Sequence, residues 1–151
     1  MKKIIFILLF IPIITFAQIE KNSISLNILG TSSVLGATYE RFITQKLQVE
    51  FGIGLIGIGF GVNYYINKIK KNTLNIYIGL KTTSIVLVDV GGGTLLYIPI
   101  GINFMKYQNI NISLDLGPAY SKWVSSDFGE FTSTTNYRFL IYGNLKLGFR
   151  F

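Results

Sequence analysis

Histidine and cysteine are both missing from the 151 residues of this chain. The absence of cysteine excludes disulfides, thiolate metal sites and a lipid-anchored first residue. The absence of histidine removes the commonest general base and the commonest metal ligand. It also leaves any serine nucleophile without an imidazole to activate it, so neither enzymatic activity nor a metal or other cofactor is expected. Acidic residues are scarce, 7 Asp+Glu against 14 Lys+Arg. That excess of positive charge does not read as a nucleic-acid interface, which needs its cations on one exposed face interleaved with stacking aromatics. Here the cations fall mostly at the ends of predicted strands. After the first 17 residues, no uninterrupted apolar run approaches the length of a membrane-spanning helix.

What is present begins with a leader. MKKIIFILLFIPIITFAQ supplies Lys2 and Lys3, an apolar stretch from Ile4 to Ile14, and Thr15-Phe16-Ala17 with small residues at both ends of the triplet. That is the order of a secretory signal, and the stretch falls short of the about 18–20 residues of a helical span. Cleavage after Ala17 is expected, leaving one domain over residues 18–151. The formal charge then falls from +7 to +5 as Lys2 and Lys3 leave.

The most informative stretch is Tyr137 to Phe151, YRFLIYGNLKLGFRF. Tyr137, Phe139, Ile141, Gly143, Leu145, Leu147, Phe149 and Phe151 alternate with Arg138, Leu140, Tyr142, Asn144, Lys146, Gly148 and Arg150. A period of two is a β-strand, whose successive side chains leave opposite faces. One face is apolar over more than the about 9–11 residues a tilted strand needs to cross a bilayer. The other is polar, cationic or small, which is the pattern of lipid outside and a hydrated or salt-bridged lumen inside.

Seven earlier segments carry the same two-sided pattern, with boundaries near Ser23–Gly30, Val34–Ile43, Lys46–Gly54, Gly57–Asn67, Thr73–Lys81, Leu96–Phe104 and Asn109–Gly117. The fold expected is all-β, an eight-stranded antiparallel up-and-down transmembrane β-barrel. Closure leaves no sheet edge in lipid, where each unsatisfied backbone group costs several kcal/mol. Pro99 lies inside the sixth segment and is expected to mark a bulge, because it removes a ladder hydrogen bond. Arg41 falls on the apolar side but close to a turn, from which its guanidinium can snorkel to the headgroups.

The connections sort by length into two sets. Thr44-Gln45, Lys68–Asn72 and Lys106–Gln108 are short and belong on the periplasmic side; Leu29–Ser33, Leu55-Ile56, Thr82–Gly93 and Ser121–Asn136 face outward from the cell. Over Ser84–Leu96 a projecting hairpin is expected, with Gly91-Gly92-Gly93 supplying positive φ at its turn. A phosphate-cradling glycine loop would need a following helix and lysine, which the sequence lacks.

The inward-facing ionisable residues are Glu40, Glu50, Lys81, Asp115, Arg138, Lys146 and Arg150. An eight-stranded barrel is only wide enough for its own side chains, so these charges are expected to pair in a lumen network, with Arg150 meeting Glu40 or Glu50. A proton or ion path is the alternative. Inward Gly52, Gly54, Gly57, Gly59 and Gly61 leave space on the third and fourth strands, which keeps a narrow channel or a small-molecule or lipid carrier open as a second reading. A soluble lipid-binding barrel in the periplasm is a third, against which stand the uniform apolar face and the charged inner one. Tyr39, Tyr64, Tyr107, Tyr120, Trp123 and Tyr137 near strand ends fit interfacial girdles. A macromolecule bound outside the cell would meet Thr82–Gly93 or the last long loop, with Trp123, Asp127, Phe128, Glu130 and Phe131.

With its signal ending in FAQ, the GATYERF stretch at Gly36–Phe42 and the terminal FRF at Phe149–Phe151, the chain resembles the small outer-membrane β-barrel families of OmpA-barrel and OmpX type, particularly those of Bacteroidota. The resemblance covers the mature chain. It implies insertion into the outer membrane by the barrel assembly machinery, reading a signal formed by Leu147, Phe149 and Phe151, and contact with outer-membrane lipids. Gly148 does not occupy the glycine position of that signal. The role implied is structural or one of surface interaction.

Overall fold

The computed structural model describes residues 21–87, 91–106, 109–126 and 133–151. The expected signal segment 1–17, Tyr107, and Asp127, Phe128, Glu130 and Phe131 of the last loop lie outside them. The described chain forms a closed antiparallel barrel from β1 (Asn22–Leu29), β2 (Leu35–Phe42), β3 (Leu47–Gly54), β4 (Gly57–Tyr65), β5 (Leu74–Leu87), β6 (Gly91–Tyr97), β7 (Ile100–Met105), β8 (Ile110–Ser126) and β9 (Ser133–Arg150). Each strand pairs with its sequence neighbours except β6 and β7, which do not pair with each other, and β9 returns to pair with β1.

Eight strands go round the ring, because β6 and β7 are two halves of one. Both pair with β5 and with β8. Leu96 faces Thr82 and Ile100 faces Ile78, a separation of four residues on either strand. No residue is inserted, so Pro99 interrupts the ladder without the expected bulge. The register survives because the barrel makes room for the ring. Gly79 and Gly117 flank it, and a Cβ on Gly117 would lie 2.8 Å from Pro99 Cα.

The stagger follows from the pairing. The level that starts at Ile24 passes through Tyr39, Phe51, Phe60, Thr82, Leu96 and Tyr120 to reach β9 at Phe139. Ile24 itself faces Phe149, so one circuit displaces the chain by ten residues, 149 − 139. Eight strands with that stagger tilt roughly 40° and enclose a backbone cylinder about 8 Å in radius. Such a lumen is filled by side chains.

The burial pattern is inverted relative to a soluble barrel, which keeps its apolar residues inside. Among the described residues, 21 buried positions are polar or charged and 8 are hydrophobic. Leu26, Ile53, Leu74, Ile100, Leu116 and Leu147 are more than half exposed, and every strand of the ring carries exposed apolar residues on its outer face. Arg41 shares that face, half-buried at the end of β2.

Candidate functional site

The lumen is filled in three layers. At the end that carries Asn22 and Phe151, Phe42, Tyr65, Ile69, Tyr77 and Met105 form an apolar cluster. Ile69 reaches it because the Lys68–Asn72 turn folds across the opening, with Lys70 N–H donating to Asn75 Oδ1 at 3.0 Å. The guanidinium of Arg150 lies over the Phe42 ring at 4.4 Å.

The middle layer is ionic. Lys146 bridges Glu40 and Glu50, the latter at 2.8 Å, and Lys81 bridges Glu50 at 3.1 Å and Asp115 at 2.7 Å. Each member is an inward residue of a different strand, β2, β3, β5, β8 or β9, so the chain of charges ties the wall together across the lumen. Neutral donors complete the carboxylates. Gln48 and Asn111 donate to Glu40, Asn63 and Thr31 to Glu50, and Tyr77 and Asn144 to Asp115. Paired and hydrogen-bonded in this way, buried charges are tolerable; singly they are not. With both oxygens of Glu40 and of Glu50 already accepting bonds, the arrangement acts as a brace.

Arg150 is buried in the lumen with its guanidinium over Phe42, and Lys146 makes the bridge between Glu40 and Glu50. One of the residues expected in this network sits elsewhere. Arg138 does not enter the lumen: it is exposed, on the inner face of β9 but above the barrel wall, where Ser121 Oγ donates to its carbonyl at 3.3 Å. Alternation gives the face a residue occupies but not its height, and at this height there is no opposite wall. Gln48, Asn63, Asn111 and Asn144 belong to the network although sequence reasoning passed over them as uncharged. Their inward parity beside Glu40, Glu50 and Lys146 was the signal.

The upper layer corrects the reading of the glycines. Residues Gly30–Ser32 form one turn of 3-10 helix that folds into the barrel, and Thr31, Ser32 and Ser33 are at most 1% exposed. Thr83 Oγ1 donates to Gly30 O at 2.8 Å, Tyr142 OH to Ser33 O at 2.8 Å, and Thr31 Oγ1 to Glu50 Oε1 at 3.2 Å. The turn lies on a floor of glycines. A Cβ on Gly59 would stand 2.3 Å from Thr31 O, and one on Gly54 1.7 Å from Ser32 O. Gly61 is filled by Glu50 and Lys81, whose side chains a Cβ there would meet at 2.8 and 2.9 Å. The space that kept a channel or pocket open as a second reading is therefore occupied by the chain itself. Leu29 and Ser33, which flank the turn, hold positive φ without being glycine, at 67° and 69°, a strain that the buried bonds offset.

Above this plug β5–β6 and β8–β9 continue as paired strands. The segment 121–136, expected as a loop, is paired from Ser121 with Arg138 to Ser126 with Ser133. Trp123 is thus a strand residue, half-buried on the inner face. Its ring lies against Gly93, where a Cβ would meet Trp123 Cε3 at 2.6 Å. Gly91 has the expected positive φ, 118°, but Gly92 and Gly93 are ordinary strand residues facing Val86 and Ile85. The smallness of Gly93 serves the tryptophan. At the opposite end Leu147 and Phe149 point outward, paired with Leu26 and Ile24, and the main chain of Phe151 exchanges hydrogen bonds with Asn22.

Comparison with protein-family profiles, curated proteins and solved structures finds no match for this chain.

Proposed function

We propose that this chain is a small integral outer-membrane β-barrel without enzymatic activity, whose role is structural or one of surface interaction through its projecting hairpins. The observation that carries the reading is the exposed apolar belt around a polar, charged interior. Strands of eight or nine residues in β1–β4, tilted roughly 40°, rise roughly 20–23 Å, close to the about 25 Å apolar band of outer-membrane barrels. In water that belt would be a large aggregation-prone patch; in lipid it is the solvent-facing surface.

The plugged lumen favours a structural or interaction role over conduction. The surface offered outside the cell is then the pair of hairpins, with Trp123 and Arg138, together with the loop residues Asp127, Phe128, Glu130 and Phe131 read from the sequence, and the partner class is an extracellular macromolecule. Leu147, Phe149 and Phe151, outward on the closing strand, are available to the assembly machinery before β9 meets β1. The resemblance to the OmpA-barrel and OmpX type agrees with this reading, as does the leader. The experiment is electrophoresis of an outer-membrane fraction with and without boiling. A compact form that shifts on heating is expected; recovery in the soluble periplasm without a shift would refute the membrane reading.

A further inference from the structure

Among the described residues every acidic side chain, Glu40, Glu50 and Asp115, is buried in the lumen. The surface charges of the described residues are therefore positive, and they are unevenly placed. Lys21, Arg41, Lys46, Lys68, Lys70 and Lys106 all stand at the end of the barrel that carries Asn22 and Phe151. Backbone contacts show that they form one rim. Phe42 N–H donates to Lys21 O at 2.8 Å, Tyr65 N–H to Lys46 O at 2.8 Å, Ile69 N–H to Gln45 O at 3.5 Å and Lys106 N–H to Ile110 O at 2.9 Å. Arg150 N–H donates to Asn109 O at 2.8 Å, and Asn22 N–H to Phe151 O at 3.1 Å, which brings the rim back to its start. Lys71 lies in the same rim with its ammonium 3.3 Å from Asn109 Oδ1. Among the described residues no Asp or Glu side chain lies at this rim, and Glu20 lies outside them.

The cations border the apolar belt directly. Ile43, Tyr64, Ile66, Leu74 and Phe149 are exposed next to them, and the ammonium of Lys46 sits 5.9 Å from the Tyr64 ring. Long basic side chains at the edge of an apolar surface place their charge at headgroup depth, and an aromatic ring beside them marks the same level. We propose that this collar binds the phosphate groups of anionic phospholipid in the leaflet that it faces. The proposal rests on the membrane reading above. A collar built to hold an acidic protein would gain nothing from sitting on the border of the belt, whereas phosphates of the surrounding lipid lie at that border on every side.

The test uses the full mature chain folded into phosphatidylcholine vesicles that contain a trace of spin-labelled phosphatidylglycerol or spin-labelled phosphatidylcholine. The motionally restricted fraction of each label reports its association with the barrel. Phosphatidylglycerol is expected to associate at least about fivefold more strongly, the worth of a single surface cation. The preference should fall toward unity at roughly 1 M salt, where the Debye length is about 3 Å, and in the variant K68Q/K70Q/K106Q. Equal association of the two labels overturns the proposal, as does a preference that the triple variant retains. Absence of lipid preference together with binding of soluble polyglutamate would overturn it in favour of an acidic macromolecule. If no heat-shifting compact form appears in the vesicles at all, the membrane reading falls and the collar proposal with it. A compact form without preference removes the collar alone.

Discussion

Replacing Lys146 by methionine isolates the ionic layer of the lumen. Its ammonium is 2.8 Å from Glu50 and also bridges Glu40, and the Cα atoms of those two glutamates are cross-strand partners. The gross attraction of the Lys146–Glu50 pair is about 6 kcal/mol at an effective dielectric near 20, most of which offsets desolvation. Removal is more damaging than that balance implies, because K146M leaves two carboxylates facing each other with a net negative charge in a closed lumen. Breaking a buried pair in this way costs about 3–5 kcal/mol, a large part of the stability of an ordinary domain. E40Q in the same background removes the surplus charge, while Glu50 keeps Lys81 at 3.1 Å and Asn63 at 2.8 Å. The double variant should therefore recover about 1–3 kcal/mol relative to the sum of the single losses. Equilibrium urea unfolding in vesicles, read as the fraction of compact form on the gel, measures all four species. A loss below about 1 kcal/mol for K146M, or strict additivity with E40Q, would refute the brace.

Three further perturbations separate the other layers. G59V places a Cβ 2.3 Å from Thr31 O and 2.6 Å from Thr82 O, both backbone atoms. It should cost about 1–3 kcal/mol and speed hydrogen exchange at Thr31 and Ser32, whereas unchanged exchange and stability would mean that the turn does not fill the groove. L114R alters an outward residue that is 51% exposed. In a bilayer it should cost roughly 2–4 kcal/mol, and a change within about 0.5 kcal/mol, the tolerance of a watery surface site, would argue against the belt. G93V should push the Trp123 ring off its glycine seat and raise its quenching by acrylamide without moving the unfolding midpoint of the barrel; protection equal to that of the parent would count against the packing.

The strands were legible because the outer face of each is under one constraint. Val34–Ile43 and Lys46–Gly54 differ from the observed Leu35–Phe42 and Leu47–Gly54 by a residue at most ends, since each apolar residue out of phase there would face the lumen. Above the belt the constraint lapses. Ser121, Lys122, Trp123, Val124 and Ser125 alternate in structure but not in polarity, so β8 reads as ending at Gly117 although it runs to Ser126. The ionic layer was legible from parity in its five buried members and failed at Arg138, whose height parity does not encode. The inward turn was hidden differently. Gly30-Thr31-Ser32-Ser33 has the composition of any surface turn, and the clue to its place lies on other strands, in the missing side chains of Gly36, Gly52, Gly54 and Gly59. Glycine facing a close-packed lumen means that something else fills the space.

Two devices together fix the pairing of this barrel, and they act on different errors. A slip of one residue in any strand exchanges its faces, which would turn Glu40, Glu50, Lys81, Asp115 or Lys146 outward and strand its partner inside. In the lipid setting proposed here each cation so exposed costs roughly 2–4 kcal/mol, and the partner left behind adds the cost of an unpaired buried charge. Parity is thus set by charge. A slip of two residues keeps parity, and the apolar belt, a run of interchangeable Ile, Leu and Phe, would hardly register it. The lumen would, because such a slip can carry Glu50 of β3 into the place of Gly52, where the turn at Thr31 leaves no room for a side chain, and Asn63 of β4 into the place of Gly61, which Glu50 and Lys81 fill. The inward turn therefore does for register what the ionic layer does for parity, so an apolar outer surface that carries little pairing information can still belong to a uniquely paired barrel.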